Sequence, residues 1–463
     1  MGKTKKRKQG PGSSDATTVV FKKQKLDTDD MIGDLILVDE LEMTTDTLTI
    51  LAKNPELISL KALKPFRTAI HDYWRVATET SNTGSSLTSR ISSALVDHRH
   101  IDALVLLSEM EIRGVVPKLG ALQRWVRECD AVLDPSMSQE EENLVWRVLN
   151  AILRTTQPQY IPSSSTQGGS IKPGSRLRWY PPFSVETTLP SPSLTPRGDL
   201  HVEAIKPLHT TPGPERRPPN KHAAIVYYSP PGTIPLLPSS QRKPQRFDVP
   251  GVPGGFVIND VFDPSECQSL IHAAEAVGLL PDEPIAGSAT QLTSVLAHNF
   301  IWLADESFIA TLYERVVDLL PQTVKGGVVR GINRRFRLYR YRPGALYRPH
   351  IDGAWPASAM SSSTPPSYIY DSDPSLYSRL TFLIYLNDNF SGGCTTFFLP
   401  GAEVGVMDAR PVRPKAGSVC VFPHGAALGS LLHEGSGVTE GEKYVIRTEV
   451  LYEVDASERV ESL

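Results

Sequence analysis

From Leu48 to Arg154 the apolar residues recur at intervals of three and four positions: Leu57, Ile58, Leu60 and Leu63, then Ile91, Leu95, Ile101, Leu104 and Leu107, then Leu122, Trp125 and Val126. An α-helix gathers such positions on one stripe, so the stretch reads as a small helical region. Beyond Pro253 the rhythm changes to short β-type runs separated by turn residues: Gly255 to Phe262, Phe336 to Tyr341, Leu380 to Leu386, Thr395 to Leu399, Ser418 to Phe422 and Tyr444 to Tyr452. Helices are predicted near Pro264 to Val277 and Glu306 to Leu320. The first is announced by Asp263 as N-cap, Pro264 at the first helical position and Glu266 in the first turn. Many short strands with few helices predict an α+β domain built on a double-stranded β-helix, or jelly roll, with flanking helices.

Between these two patterns the 39 prolines of the chain crowd into the stretch from Gln157 to Pro253, which reads as a linker. The expected organisation is a disordered basic tail over 1–46, a helical region over 47–155, a proline-rich linker over 156–252 and the β-rich domain over 253–455. The segment from Ser93 to Cys129, with its Gly-Val-Val-Pro turn, resembles one helix-turn-helix unit of the pentatricopeptide type. No second copy follows at that period, so the region is expected to be a small bundle packed on the β-rich domain or on a partner.

The net charge of −3 gives the chain no general electrostatic hold on nucleic acid or on an anionic membrane. Cys129, Cys267, Cys394 and Cys420 are widely spaced, against a structural zinc site or a disulfide framework. No apolar run approaches the ~20 residues that cross a bilayer. Two basic clusters, Lys3 to Lys8 and Lys22 to Lys25, suit nuclear import or a local nucleic-acid contact, so a nuclear or cytoplasmic location is expected.

Candidate chemistry begins at His350-Ile351-Asp352. Residues two apart on a strand face the same side, so an imidazole and a carboxylate in this spacing can both reach into a barrel mouth. Among 11 histidines and 51 acidic residues one such pair carries little by itself. A second histidine, His433, and an arginine, Arg447, follow within the β-type runs. Two imidazoles and a carboxylate on one face of an octahedron leave three positions open, as non-haem iron(II) oxygenases require. A bidentate 2-oxo acid fills two of these and dioxygen the third. The distal carboxylate of the acid then needs a cation, and the guanidinium of Arg447 can grip it through two hydrogen bonds. His424, in Phe422-Pro423-His424-Gly425, is the alternative to His433 but stands further from Arg447 than adjoining strands would place it.

Four segments in order, RFRLYRYRPGALYRPHID, RLTFLIYLNDNFSGGCTTFF, VRPKAGSVCVF and LLHEGSGVTEGEKYVIRTEVLY, resemble the prolyl 4-hydroxylase family of 2-oxoglutarate oxygenases over Pro253 to Glu453. The resemblance implies iron held by His350, Asp352 and His433, and 2-oxoglutarate held at its C5 carboxylate by Arg447. It implies a hydrogen bond to the cosubstrate from Tyr341, with Tyr385 and Tyr347 as further candidates for the same pocket, where plain barrel packing would also explain them. Dioxygen and ascorbate are implied with the iron. Two departures stand out. Collagen-type enzymes usually offer a lysine to the cosubstrate where this chain offers Arg447, and the family's Gly-Gly-Glu-Thr is here Gly392, Gly393, Cys394 and Thr395.

The reaction implied is hydroxylation of a protein or peptide side chain coupled to decarboxylation of 2-oxoglutarate to succinate. Two other readings are an oxygenase acting on nucleic acid, which the basic tail permits, and a non-catalytic interaction protein with a degenerate barrel, against which the intact ligand set argues. The Ser- and Pro-rich stretch from Gly353 to Ser378 is expected to cover the substrate entrance, with Trp355, Tyr368 and Tyr370 as contacts.

Overall fold

The computed structural model describes residues 38–82, 86–133, 136–156, 168–186, 200–217, 219–285 and 297–454. The basic tail up to residue 37 lies outside these; from Val38 the remainder of the expected tail belongs to helix α1 (Val38–Lys53). The chain divides into two compact units, Met1–Val76 and Ala77–Leu463. The first holds α1 and most of α2 (Lys64–Asn82), with Met43, Tyr73 and Trp74 exposed. No helix among the described residues is long and apolar enough to cross a membrane.

The second unit opens with four helices, α3 (Leu87–Val96), α4 (His100–Ile112), α5 (Leu119–Val132) and α6 (Gln139–Arg154). Helix α6 starts at a capping box, Ser138 accepting from the Glu141 N–H while the Glu141 carboxylate accepts from the Ser138 N–H. The strands of the two main sheets then follow. They are β1 (Leu177–Trp179), β2 (Lys206–Thr211), β3 (Ala224–Tyr228), β4 (Gln245–Asp248), β5 (Phe256–Asn259), β6 (His298–Leu303), β7 (Gly327–Ile332) and β8 (Arg335–Tyr341). The chain continues through β9 (Tyr347–His350), β10 (Leu376–Tyr385), β11 (Thr395–Pro400), β12 (Met407–Val412), β13 (Val419–Pro423), β14 (Leu432–Gly435) and β15 (Lys443–Glu453). Helices α7 (Pro264–Val277) and α8 (Glu306–Val316) lie where the periodicity predicts them, and α7 carries the Asp263 cap, Pro264 and the Glu266 capping box.

The smaller sheet runs β1, β12, β11, β14, β9, and the larger β2, β3, β6, β8, β15, β10, β13, β5, β4, with β7 also pairing to β15. Pairing is antiparallel except for β1 on β12 and β3 on β6. Alternation along each strand assigns the faces. Tyr444, Ile446 and Val450 of β15 join Phe336, Phe382 and Ile384 in a core covered by α7 and α8. Val445, Tyr341, Tyr385 and Cys420 face the other way and meet Phe397 and Leu399 of the smaller sheet. The far side of the smaller sheet, through Phe398, Met407, Ala409 and Leu432, closes a third core with α3 to α6. The order is helices, large sheet, small sheet, helices, and the space between the sheets is where the candidate ligands point.

The proline-rich stretch 156–252 is not a free tether in this fold. Its described residues supply β1 to β4, which extend both sheets at their edges, where a strand can lack one set of backbone donors and so tolerate proline. Composition reads proline content without its position in a sheet, which is why the stretch looked like a linker.

Helices α7 and α8 are tied by Glu266 and Arg315, whose side chains are wholly buried and paired at 2.8 Å. Glu266→Ala leaves that guanidinium without its anion and is expected to cost about 3–5 kcal/mol in denaturant unfolding, with Glu266→Gln costing less. Equal losses would mean that shape rather than charge holds the pair.

Candidate functional site

Strands β9 and β14 bring the two histidines together as cross-strand partners, with ring centroids 4.3 Å apart. Each ring is oriented from behind: Nδ1 of His350 lies 2.8 Å from the Arg348 carbonyl oxygen, and Nδ1 of His433 lies 3.0 Å from that of Leu431. A carbonyl only accepts, so the N–H sits on Nδ1 and the lone pair of each neutral ring is on Nε2. Asp352 follows beyond the end of β9, its carboxylate 3.4 Å from His350 Nε2 and 3.7 Å from His433 Nε2. One donor atom from each of the three residues lies within 4.8 Å of the others. Burial pushes His433 down to about 3, so its ring is neutral at physiological pH. Burial opposes ionisation of Asp352, but the Arg447 guanidinium beside it overcomes this and holds the carboxyl well below the usual range. Two unprotonated imidazole nitrogens and an ionised carboxylate, gathered on one side, are a donor set that fits iron(II).

Behind Asp352 runs a directional chain of hydrogen bonds. Thr381 Oγ1 donates to Asp352 Oδ2 at 2.6 Å, leaving its oxygen to accept from His424 Nδ1 at 2.7 Å. His424 Nε2 then accepts from Ser378 Oγ at 2.7 Å, and Ser378 in turn accepts from the Trp355 N–H at 2.7 Å. The alternative distal ligand is therefore spent on both nitrogens, one shell behind the carboxylate, and does not face the other donors.

Arg447 lines the same cavity, beside the candidate ligands. Its guanidinium lies against Asp352, with NH2 3.2 Å from Oδ1 and Nε 3.3 Å from Oδ2, and it approaches Glu449 at 3.7 Å. The cavity, of about 50 Å³, is lined by His350, Asp352, His433 and Arg447 together with all three expected tyrosines, Tyr341, Tyr347 and Tyr385. Tyr347 stacks on His350 with centroids 4.2 Å apart, and Tyr385 donates to Thr395 Oγ1 at 2.8 Å.

The residue missed in the sequence is Lys443. It is 3% exposed, lies beside Tyr341 and Tyr385 with its ammonium 5.4 and 5.9 Å from their ring centres, and donates to the Gly393 carbonyl at 2.8 Å. No carboxylate pairs with it among the described residues, and burial lowers its pKa to about 8. The signal was present: Lys443 shares the inward face of β15 with Val445 and Arg447, and a lysine on a buried face is unusual. The Gly353 to Ser378 stretch forms a hairpin, Ala359–Met360 with Tyr368–Ile369. Met360 and Tyr368 pack on the Val226, Ile301 and Leu303 patch, while Trp355 and Tyr370 pair edge to face at 6.0 Å.

Residues 336–448 match the model of the 2OG-Fe(II) oxygenase superfamily. The chain is 24% identical over 196 residues, 41% of this chain and 71% of the relative, to the "Putative prolyl 4-hydroxylase" of Acanthamoeba polyphaga mimivirus. Among solved structures, the viral collagen prolyl hydroxylase of Paramecium Bursaria Chlorella virus-1 in its 2OG complex aligns at 19% identity and a TM-score of 0.29, covering 44% of this chain and 97% of that one. A Trichoplax adhaerens prolyl hydroxylase in complex with a peptide fragment of the hypoxia inducible factor oxygen degradation domain aligns at 16% and 0.31, covering 45% and 87%.

Thr381→Val keeps the volume of the side chain but strands Asp352 Oδ2 and His424 without their shared partner. Manganese(II) affinity, read by calorimetry, is expected to fall about tenfold, whereas Asp352→Ala is expected to abolish it; an unaltered Thr381→Val would show that the carboxylate needs no support from behind.

Proposed function

Because its C-terminal domain is a prolyl 4-hydroxylase-like 2OG-Fe(II) oxygenase domain, we propose that this protein hydroxylates a side chain, a prolyl ring foremost, of a protein or peptide substrate, releasing succinate and carbon dioxide. The domain is read as a double-stranded β-helix whose two sheets enclose the site. The observation that carries the reading is the convergence of His350, Asp352 and His433 at one end of a cavity whose other end holds a buried, acid-free ammonium. When bound there, iron(II), 2-oxoglutarate and dioxygen would supply the oxidising chemistry, with ascorbate as the expected reductant. A prolyl substrate follows the activity in the name of the mimiviral relative. The net charge of −3 offers nucleic acid no general hold, and the basic clusters before residue 38 support a nuclear or cytoplasmic location.

The residues divide the work. His350 and His433 present Nε2 because their Nδ1 protons are committed to backbone carbonyls. Asp352 contributes the anionic donor, kept ionised by Arg447 and oriented by Thr381. The C5 carboxylate of the cosubstrate would go to Lys443 rather than to Arg447, whose guanidinium already lies against Asp352 and Glu449. A buried ammonium with no anion is costly, and an incoming carboxylate offsets that cost. Tyr341, Tyr385 and Thr395 complete that end of the cavity, and Phe422 and Val445 wall it from water.

Succinate formation from 2-oxoglutarate by the wild-type chain with iron(II), lost in Asp352→Ala, is the basic test; absence of turnover with intact metal binding would favour a degenerate barrel. Lys443→Met is expected to raise the KM for 2-oxoglutarate about 30-fold, on the order of 2 kcal/mol for a lost hydrogen bond to a charged group, while Arg447→Gln acts mainly on metal affinity. The opposite pattern would return the carboxylate to Arg447. Lys443 carries its charge below its lowered pKa, so KM should rise as pH passes upward through about 8 and stay flat there in Lys443→Arg.

A further inference from the structure

We propose that the helices α3 to α6 are a positioning element of the metal centre, in which Gln123 and Asp130 of α5 set the main chain that carries His350 and Asp352. The inference rests on the metal reading above and concerns what holds its ligands in place.

Strand β9 is the last strand of the smaller sheet, hydrogen-bonded to β14 alone. Its register shifts between Tyr347 and His350, and Asp352 lies past its end. Two of three ligands thus sit on an edge segment that the sheet by itself holds weakly, because its outer edge has no strand neighbour. The helices supply what the sheet omits. Gln123 Nε2 donates to the Ile351 carbonyl at 2.9 Å, the carbonyl of the peptide unit that leads into Asp352. The side chain of Ile351, directed away from the cavity because His350 and Asp352 point into it, is 4% exposed within the apolar core of α3 to α6.

On the other side of His350, Arg348 donates through Nε to Asp130 Oδ2 at 2.7 Å and through NH2 to the Asp130 carbonyl at 2.8 Å. The Arg348 carbonyl is the acceptor that orients the His350 ring. The third ligand is seated the same way: Leu432, next to His433, is 1% exposed in the same helical core and is paired with Phe398 of β11. One bundle therefore touches the main chain or the neighbouring side chain of every ligand without itself reaching the cavity. Gln123 and Asp130 are positioning residues, acting through Ile351 and Arg348.

The experiment uses the full-length chain and manganese(II) as a redox-stable probe, with affinity read by calorimetry and the visible charge-transfer band of anaerobic iron(II) plus 2-oxoglutarate as an independent signature. Gln123→Leu, which keeps the bulk but removes the donor, and Asp130→Asn, which weakens the grip on Arg348, are each expected to lower manganese affinity about tenfold and to shift the band. Leu107→Ala, buried in α4 away from the ligand strand, is the control: it should lower the melting temperature and leave metal affinity unchanged. Wild-type affinity in both α5 variants would overturn the proposal and leave the bundle as a prop for stability. So would a loss in Leu107→Ala as large as theirs. Failure of the wild-type chain itself to bind manganese would instead remove the metal reading on which the proposal stands.

Discussion

Asp352 is an ionised carboxylate inside a protein interior, and the architecture around it follows from keeping it so. Transfer of an unpaired anion into a low-dielectric space is prohibitive, and such a group neutralises unless cations and hydrogen-bond donors surround it. Here Arg447 approaches both oxygens, Thr381 donates to one of them, and the lone-pair faces of His350 and His433 stand close enough to share a cation with it. Each comes from a different strand: β15, β10, β9 and β14. The two-sheet arrangement is what lets four strands aim polar side chains at one point while their other faces build apolar cores.

The same alternation separates two cations on β15. Lys443 and Arg447 share a face four residues apart, roughly 13 Å along an extended strand, and their surroundings give them different tasks. Arg447 lies among Asp352 and Glu449, where its permanent charge stabilises anions already present. Lys443 lies among tyrosine rings and a carbonyl, where nothing anionic meets it and burial lowers its pKa. Arg447 has its anions beside it; a buried lysine with no carboxylate among the described residues is a charge that a ligand can complete.

Much of this was legible in the residues. The runs around Phe336, Leu380, Thr395, Val419 and Tyr444 and the cap at Asp263 are local signals, and each became the element that its period predicts. The pairing of His350 with His433 was legible only through the company of other motifs, since nothing local says that β9 and β14 meet. What stayed hidden depends on tertiary setting. Strands β9 and β14 are four residues each, β9 carrying Pro349 and a bulge, and are too brief for periodicity to declare them, while β6, β7 and β12, six residues long, were also not read. Arg447 was read as the cosubstrate cation and Lys443 was not weighed; both satisfy the same parity, and only burial and partners tell them apart. His424 follows β13 and His433 lies in β14; the difference is that both nitrogens of His424 are consumed by hydroxyls.

The position of the helical bundle then has a physical reason. In the large sheet, β15 and β10 are flanked on both sides, so Arg447, Lys443 and Thr381 are held by continuous ladders. The ligand-bearing edge of the small sheet has no such ladder, and β9, with its register shift, ends at His350, before Asp352. Covering that edge with another strand would pair its backbone but flatten the bend. A helix lying along the strand can satisfy a single carbonyl through Gln123, hold Arg348 through Asp130 and bury Ile351 without extending the ladder. A small bundle is therefore a suitable support for a metal-binding edge that must stay irregular to bring three donors onto one face.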